Sequence, residues 1–489
     1  MADIVLVQPT VCFSDSVRSR PSLPLGLLHV GGAFDGTFRV TLVDQRTDPQ
    51  WRDSLLNELK KRPLFVGMTV KTGNQVTHAL TISRFVREHS SVPVVWGGML
   101  GSFYPEIAAS HEDVDVVVRG DGDITIRELA EAYLEGKGLA GIKGITYTDE
   151  SGHIIHNSDR PLKNLDCYPS PNLNLVDVKS YLQDYLGYAS LPLQSSRGCT
   201  RKCSFCYNQA VNRGRWRAMA PERVIEQIEL CLRHAPIENI FFVDDNFFID
   251  LDRAKRFAEL LIAKKTGITW QPHGTDIVSV LKMSDGYLRM LIRSGLTGFK
   301  FGVESGSPRI RKMIHKAPAV NDIIRLNRRL RSFGLMVDYN FMAGFPGETI
   351  ADITQTVSLM RRLLADNPKA RTYGLNLFTP YPNTPVYDSA CTNGFVPYSS
   401  LEGLSAHTFD SGVTGQSKPG HLSEEVFAYI RDLSFLTPFL DEKSRDFDVC
   451  VGVRFLYDAY KHIARFRLRH GVYSFMIERD LSLLLRRLI

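Results

Sequence analysis

The chain has 489 residues, 44% of them hydrophobic and 23% charged, a balance that fits two or three globular domains and excludes a disordered or fibrous protein. Its formal net charge of +6 is modest for this length and gives no sign of a nucleic-acid partner. No apolar run is long enough for a transmembrane helix, and the N-terminus lacks the basic and apolar segments of a signal peptide, so none is expected.

Residues 1–140 alternate short apolar runs with helical patterns. Buried strands are expected at 4–7, 40–43, 64–70, 92–96 and 114–118, and amphipathic helices at 77–88 and 124–134. Strands separated by helices imply a doubly wound, Rossmann-like parallel sheet with helices on both faces. Ligands of such sheets bind beyond the carboxyl ends of the strands. The loops expected there are Thr72-Gly73-Asn74-Gln75, Gly97-Gly98 and Gly120-Asp121-Gly122, whose glycines allow close approach of the backbone. Each loop alone is equally an ordinary turn.

Residues 141–190 read as a connector, with a hairpin around Asp149-Glu150-Ser151-Gly152 and a Pro-, Asn- and Asp-rich linker at 161–175. From residue 191 to 388 the alternation returns. Strands are expected at 193–196, 239–243, 268–272, 298–303, 336–342 and 371–378, with helices at 221–234, 251–264, 286–294, 321–333 and 350–364. Six such units suggest a partial (β/α)6 barrel, whose active site lies at the carboxyl ends of its strands. Residues 389–489 read as a mostly helical region, with helices at 422–440 and 451–488. The last is basic, carrying Arg454, Lys461, Arg465, Arg467, Arg469, Arg486 and Arg487. It is read as a cap with a solvated charged face, peripheral membrane contact being the alternative.

After the first expected barrel strand comes Arg197-Gly198-Cys199-Thr200-Arg201-Lys202-Cys203-Ser204-Phe205-Cys206-Tyr207. Three cysteines this close can hold a [4Fe-4S] cluster and leave one of its four irons without a protein ligand. A structural zinc site normally has a fourth Cys or His at matching spacing, and none lies nearby. The other cysteines, Cys12, Cys167, Cys231, Cys391 and Cys450, are scattered, which suits a reducing cytoplasm.

The Cys199-Cys203-Cys206 motif closely resembles that of the radical SAM enzymes. The segments Pro21-Ser22-Leu23-Pro24-Leu25-Gly26, Thr72-Gly73-Asn74-Gln75, Gly97-Gly98 and Arg119-Gly120-Asp121-Gly122-Asp123 resemble the cobalamin-binding domain that precedes the radical SAM core in one large subclass. The resemblance implies three cofactors: a [4Fe-4S] cluster, S-adenosyl-L-methionine and cobalamin. Cys199, Cys203 and Cys206 would ligate the cluster. Phe205 would contact adenine, and Glu304, in Gly302-Val303-Glu304-Ser305-Gly306, would hold the ribose hydroxyls of S-adenosylmethionine.

Asp245, at the end of the second barrel strand, could accept from that cofactor's ammonium group; it or Asp244 could equally cap the next helix. Glu348 is expected to start the helix after the fifth strand. Thr72, Gly73, Gln75, Gly97, Gly98, Gly120 and Gly122 would line the cobalamin site. None of His29, His78 and His111 sits in an Asp-x-His-x-x-Gly loop, so no protein histidine is expected on cobalt, and His29 reads as packed. His273 and Tyr381 are candidates for proton transfer or substrate contact, and either can be structural.

The implied activity is a methyltransferase that moves a methyl from methylcobalamin to an unactivated carbon of a small molecule, through a 5′-deoxyadenosyl radical. Oxidative cyclisation or ring rearrangement on the same scaffold is the alternative. The tRNA methylthiolation enzymes carry three further cysteines in the N-terminal domain, where this chain has Cys12 alone. A non-catalytic cobalamin module would not need the cysteine triad or Glu304. An electron donor such as flavodoxin or ferredoxin is the implied partner.

Overall fold

The structure is a computed structural model that describes residues 2–11, 15, 20–34, 36–185, 187–405, 418–441, 451–473 and 476–479. Cys12, Cys450, Arg486, Arg487 and the side chain of Arg454 lie outside the described residues.

The N-terminal sheet contains β1 (Ala2–Gln8), β2 (Phe38–Asp44), β3 (Val66–Thr69), β4 (Val94–Gly97), β5 (Val116–Val118), β6 (Ile145–Thr148) and β7 (Ile154–His156), in the order β2-β1-β3-β4-β5-β6-β7. The first five are parallel. Their near-continuous apolar runs suit strands covered on both faces. Ile4, Leu6, Val95 and Val116 pack with Leu27, Ile126 and Leu129 of helices Leu25–Gly32 and Gly122–Glu135. On the other face Val5, Val7, Val66 and Trp96 pack with Leu55, Val76 and Leu80 of helices Trp51–Leu59 and Asn74–His89. The chain leaves β1 toward β2 on one side and reaches β3 on the other, which opens a crevice at the carboxyl ends of β1 and β3.

The structure corrects two expectations. The hairpin assigned to the connector is β6-β7, and it extends this sheet by antiparallel pairing of β6 with β5. The first barrel strand is not at 193–196. It is β9 (Tyr188–Leu193), preceded by the antiparallel β8 (Gln183–Tyr185). Ser196–Gly198 forms β10, which pairs with β11 (Trp216–Ala218) in a ribbon that brackets the cysteine loop. The turn at Gly198 explains the break: its φ is +92°, and a Cβ there would meet the Arg215 carbonyl oxygen at 2.0 Å.

The remaining barrel strands are β12 (Asn239–Phe242), β13 (Thr269–Pro272), β14 (Gly298–Glu304), β15 (Met336–Ala343) and β16 (Ala370–Leu377). They form two sheets, β13-β12-β9-β8 and β14-β15-β16. Parallel bridges Trp270–Leu296 and Thr275–Phe301 join the sheets into one partial barrel. Helices Pro221–His234 and Leu251–Lys264 begin and end where the sequence places them. Asp250 caps the second by accepting from the Arg253 N–H at 2.9 Å. An aromatic pile of Phe242, Phe247, Phe248, Phe257 and Trp270 fills the core beneath them.

The open edge of β16 is covered by residues of the C-terminal region. Thr437 Oγ1 accepts from Leu375 N at 2.9 Å, Asp441 from Thr372 N at 3.2 Å, and Ser434 Oγ donates to the Leu375 carbonyl at 2.6 Å. Helices Glu424–Leu436 and Val451–His470 complete that cap. The short helices Pro385–Thr392 and Leu401–Ser405 are too brief to show a helical period in sequence. Among the described residues no helix is long and apolar enough to cross a membrane.

Candidate active site between the barrel and the N-terminal domain

The cysteine loop is pinned from three sides. Ser204 N donates to the Ile314 carbonyl at 3.1 Å, and Val386 N donates to the Ser204 carbonyl at 3.2 Å. Asp245 accepts from Gly198 N at 2.7 Å and from the Tyr207 hydroxyl. Its neighbour Asp244 is 3% exposed and accepts from Ser195 N, Ser195 Oγ and Ser196 Oγ at 2.6–2.7 Å. Neither aspartate caps the next helix. Both anchor the chain on either side of the cysteines.

Cys199 is buried, and its Sγ accepts from Arg201 N at 3.4 Å and from Asn246 Nδ2 at 3.5 Å. Burial raises the thiol pKa of Cys199 and pushes that of Cys206 up to about 12. Without metal these thiols hold their protons, so loading a cluster must release them. Among the described residues no three His, Cys, Asp or Glu side chains converge on a single ion. A cubane does not ask for that, because each cysteine ligates a different iron. Three cysteines on one loop, Cys199 buried with two N–H donors to its sulfur and Cys203 and Cys206 half-buried, fit that group.

Beside the loop lies a small apolar cluster of Ile310, Ile314, Phe345, Phe378 and Val386, with Phe205 packed against it. The rings of Phe205 and Phe345 meet edge to face at 5.7 Å. Glu304 ends β14 with φ +66°, unusual for a side-chain-bearing residue, and is 7% exposed. Its Oε1 accepts from Lys316 Nζ at 3.2 Å. A Cβ at Gly302 would meet that oxygen at 2.1 Å, so the glycine lets the carboxylate lie across the strand. Burial works against the Lys316 charge, but Glu304 and Cys203 hold its pKa above the ordinary value. An apolar aromatic wall next to a buried carboxylate suits an adenosine.

Glu348 does not start the following helix. Helix Ile350–Asp366 begins after Thr349, which caps it together with Asp352. The Glu348 carboxylate accepts from Gly344 N at 2.6 Å and Phe345 N at 3.1 Å, closing the turn beneath Phe345. Burial raises its pKa to about 7.

In the N-terminal crevice a cavity is lined by Leu6, Gly67, Thr69, Gly97, Gly98, Gly120, Asp121, Gly122 and Arg197, among others. It therefore contains four of the glycines singled out in the sequence. A Cβ at Gly26 or Gly120 would meet nothing within 4 Å, so bare backbone borders open space. That cradle fits a bulky ligand laid against the loops, as cobalamin would be. Thr72, Gly73 and Gln75 stand outside this lining. Gln75 is 1% exposed and spans Lys71 N at 2.8 Å and the Pro9 carbonyl at 3.3 Å.

Arg197 belongs to both halves. It directly precedes the cysteine loop, lines the N-terminal cavity and bonds to Asp121 at 3.0 Å and Asp123 at 2.9 Å. Sequence reading misses it, together with Lys316, because neither role leaves a local pattern. The candidate Tyr381 lies where the domains meet, its ring stacked on Phe103 at 5.0 Å and its hydroxyl 3.4 Å from Thr72 Oγ1. His273 lies inside the barrel, stacked on Phe241 at 4.7 Å. His29 is buried in helix Leu25–Gly32.

The fold and site define a two-domain protein that joins a glycine-lined crevice to a barrel bearing a three-cysteine loop. Residues 193–360 match the radical SAM superfamily, and residues 19–130 match the B12 binding domain. An uncharacterised methyltransferase of Pyrococcus horikoshii is 28% identical over 400 residues, 81% of this chain and 84% of that one. An anaerobic magnesium-protoporphyrin IX monomethyl ester cyclase of Rubrivivax gelatinosus is 23% identical over 74% of this chain and 64% of its own. The solved structure of the radical S-adenosylmethionine methyltransferase TsrM from Kitasatospora setae, with cobalamin and a [4Fe-4S] cluster bound, superposes with TM-score 0.66 at 20% identity, covering 81% of this chain and 76% of that one. That likeness shows the fold. The chain belongs to the radical SAM superfamily, in the group that carries a B12-binding domain before the barrel.

Proposed function

We propose that the protein is a cobalamin-dependent radical SAM methyltransferase acting on a carbon of a small molecule. The observation that carries this reading is Arg197, which holds the glycine-lined cavity and the cysteine loop in one hydrogen-bonded unit. When bound, the cluster and S-adenosylmethionine supply the carbon radical that removes a substrate hydrogen, and cobalamin supplies the methyl group.

The chain's own residues position these groups. Cys199, Cys203 and Cys206 hold the cluster, with Asn246 and the Arg201 N–H donating to sulfur. Glu304, oriented by Lys316, accepts from the hydroxyls of S-adenosylmethionine, and Phe205 with Phe345 forms the wall for its base. Gly97, Gly98, Gly120 and Gly122 keep side chains out of the cobalamin cradle. Asp244 and Asp245 fix the loop so that the reactants meet in one geometry. Reduction of the cluster comes from a separate electron-donor protein of the flavodoxin or ferredoxin class.

The cyclase relative keeps one alternative open, oxidative ring closure on the same scaffold. The test is anaerobic purification, reconstitution with iron, sulfide and hydroxocobalamin, metal analysis and product mass spectrometry. One cubane's worth of iron and one cobalt per chain, with a product heavier by one methyl, is the expected result. A product that has lost hydrogens would replace the methyltransferase with the cyclase, and iron without cobalt would remove both.

A further inference from the structure

The turn that carries Phe345 is held by the C-terminal region as well as by the barrel. β15 ends at Ala343, and Gly344 follows with φ +94°. A Cβ at Gly344 would meet Leu377 Cδ1 at 2.7 Å and Leu422 Cδ1 at 3.4 Å, so glycine lets the chain turn this close to β16 and to the C-terminal cap. The same freedom leaves the Gly344–Phe345 peptide without the steric preference that would orient it beside another residue. Its orientation is set by what its two edges bond to.

The two edges bond to distant parts of the chain. Phe345 N donates to Glu348 Oε2 at 3.1 Å, inside the turn. The Gly344 carbonyl lies 2.9 Å from His421 Nε2, 77 residues further along. A carbonyl oxygen only accepts, so Nε2 carries the proton. Burial holds the His421 pKa below its ordinary value, which leaves the ring neutral and Nδ1 bare. Nδ1 is buried and finds no partner. The ring thus makes one hydrogen bond and strands its other nitrogen, a cost that an aliphatic side chain in this place would not carry.

His421 is 8% exposed, and aromatic neighbours fix its ring. It meets Phe378 edge to face at 6.2 Å and Phe395 at 6.0 Å. Phe378 stacks on Phe345 at 4.8 Å, and Phe345 meets Phe205 at 5.7 Å. A row of rings therefore runs from His421 to the cysteine loop, and the one polar bond that enters it from the C-terminal region is the bond to Gly344.

We propose that His421 is a positioning residue for S-adenosylmethionine: its bond to the Gly344 carbonyl fixes the peptide that aims Phe345 at the adenine, so that the C-terminal region completes the cofactor site. The proposal rests on the reading above that Phe205 and Phe345 form the wall for the base.

The reconstituted full-length protein, with its cluster oxidised so that no turnover occurs, is dialysed to equilibrium against labelled S-adenosylmethionine and, separately, against 5′-methylthioadenosine, which keeps the adenosine and lacks the amino acid. His421→Ala should weaken both about tenfold, the loss of one buried hydrogen bond, with iron content and cobalamin affinity at the wild-type level. In dithionite-driven cleavage the same variant should raise KM for S-adenosylmethionine about tenfold and leave kcat within about twofold. His421→Gln, whose amide N–H reaches toward the same carbonyl, should recover most of the affinity, whereas His421→Leu, which fills the space without a donor, should not. That pair separates the bond from packing and decides the matter even where His421→Ala fails to fold. Equal affinities in the Gln and Leu variants, or wild-type affinity in His421→Ala, would overturn the role of His421. Phe345→Ala is measured alongside: weakened binding there keeps the adenine wall whatever His421 does, and unchanged binding removes the wall and the proposal with it.

Discussion

Arg197 and Asp123 connect the cysteine loop to the glycine-lined cavity. Arg197 Nη1 lies 2.9 Å from Asp123 Oδ2, with the two side chains 16% and 3% exposed. The same guanidinium reaches Asp121, which also accepts from Arg217 and from the Tyr168 hydroxyl at 3.0 Å. Burial works against the Arg197 charge, and Asp123 and Asp121 more than compensate, holding its pKa above the ordinary range.

Removing one partner of such a pair leaves a buried charge uncompensated. Asp123→Asn and Arg197→Met should each lower stability by about 3 kcal/mol in urea unfolding. The double variant should lose less than the sum, because neither charge is then stranded. Arg197→Met should also weaken cobalamin binding in a spectrophotometric titration, since the side chain lines the cavity. Additive losses with unchanged cobalamin affinity would mean that the pair only packs the interface.

Cys203→Ala should leave the chain without a full cluster and abolish cleavage of S-adenosylmethionine. Cobalt should be retained, because the crevice is built from a separate sheet with its own two cores. Iron and cobalt measured on the same sample decide this. Cleavage at the wild-type rate would remove the radical assignment.

Legibility in the sequence tracks the length and regularity of each signal. Helices Pro221–His234 and Leu251–Lys264 each hold a clean helical period over four turns, and the pattern places both to the residue. The first barrel strand is displaced in that reading because Pro192 and Ser195 interrupt its apolar run, so that Ser196–Gly198 resembles its end. The cysteines are legible because metal chemistry dictates their spacing. Gln75, expected in a loop, stands in the first turn of helix Asn74–His89, where its side chain bonds to Lys71 N and the Pro9 carbonyl. Lys316 and His421 meet residues far from them in the chain, Phe205 and Gly344, and no local pattern reports such a meeting.

Two glycines bordering the same cavity should respond differently to alanine. Gly98 has φ +86° and ψ −157°, a region nearly closed to other residues, and its added Cβ would meet Thr69 Oγ1 at 2.7 Å and Val70 N at 3.0 Å. Gly98→Ala should therefore cost about 3 kcal/mol or more and impair cobalamin binding. Gly120 has φ +68° with nothing within 4 Å of a Cβ, so Gly120→Ala should cost only about 1–2 kcal/mol in stability. Its methyl would project into open space beside the cavity, so any loss of cobalamin affinity beyond that cost would report direct contact. Equal destabilisation of the two variants would show that the Gly98 turn relaxes.

Two buried groups pull the pH dependence of stability in opposite directions. Burial and Arg197 push the His29 pKa from 6.5 down to about 4. The unfolded chain takes up that proton first, so this contribution is complete above pH 6.5 and is lost as pH falls toward 4, about 3 kcal/mol in all. Burial raises the Glu348 pKa from 4.5 to about 7. The unfolded chain releases that proton first, so this contribution is complete below pH 4.5 and is lost as pH rises toward 7, again by about 3 kcal/mol. Between pH 4.5 and 6.5 the two slopes oppose each other in the wild type. His29→Leu should make stability fall with rising pH, relative to wild type, by about 1.4 kcal/mol per pH unit, and Glu348→Gln should make it rise by as much. Urea unfolding of the three proteins at half-unit pH steps reads both slopes. Parallel curves would mean that the folded chain holds neither group away from its ordinary titration.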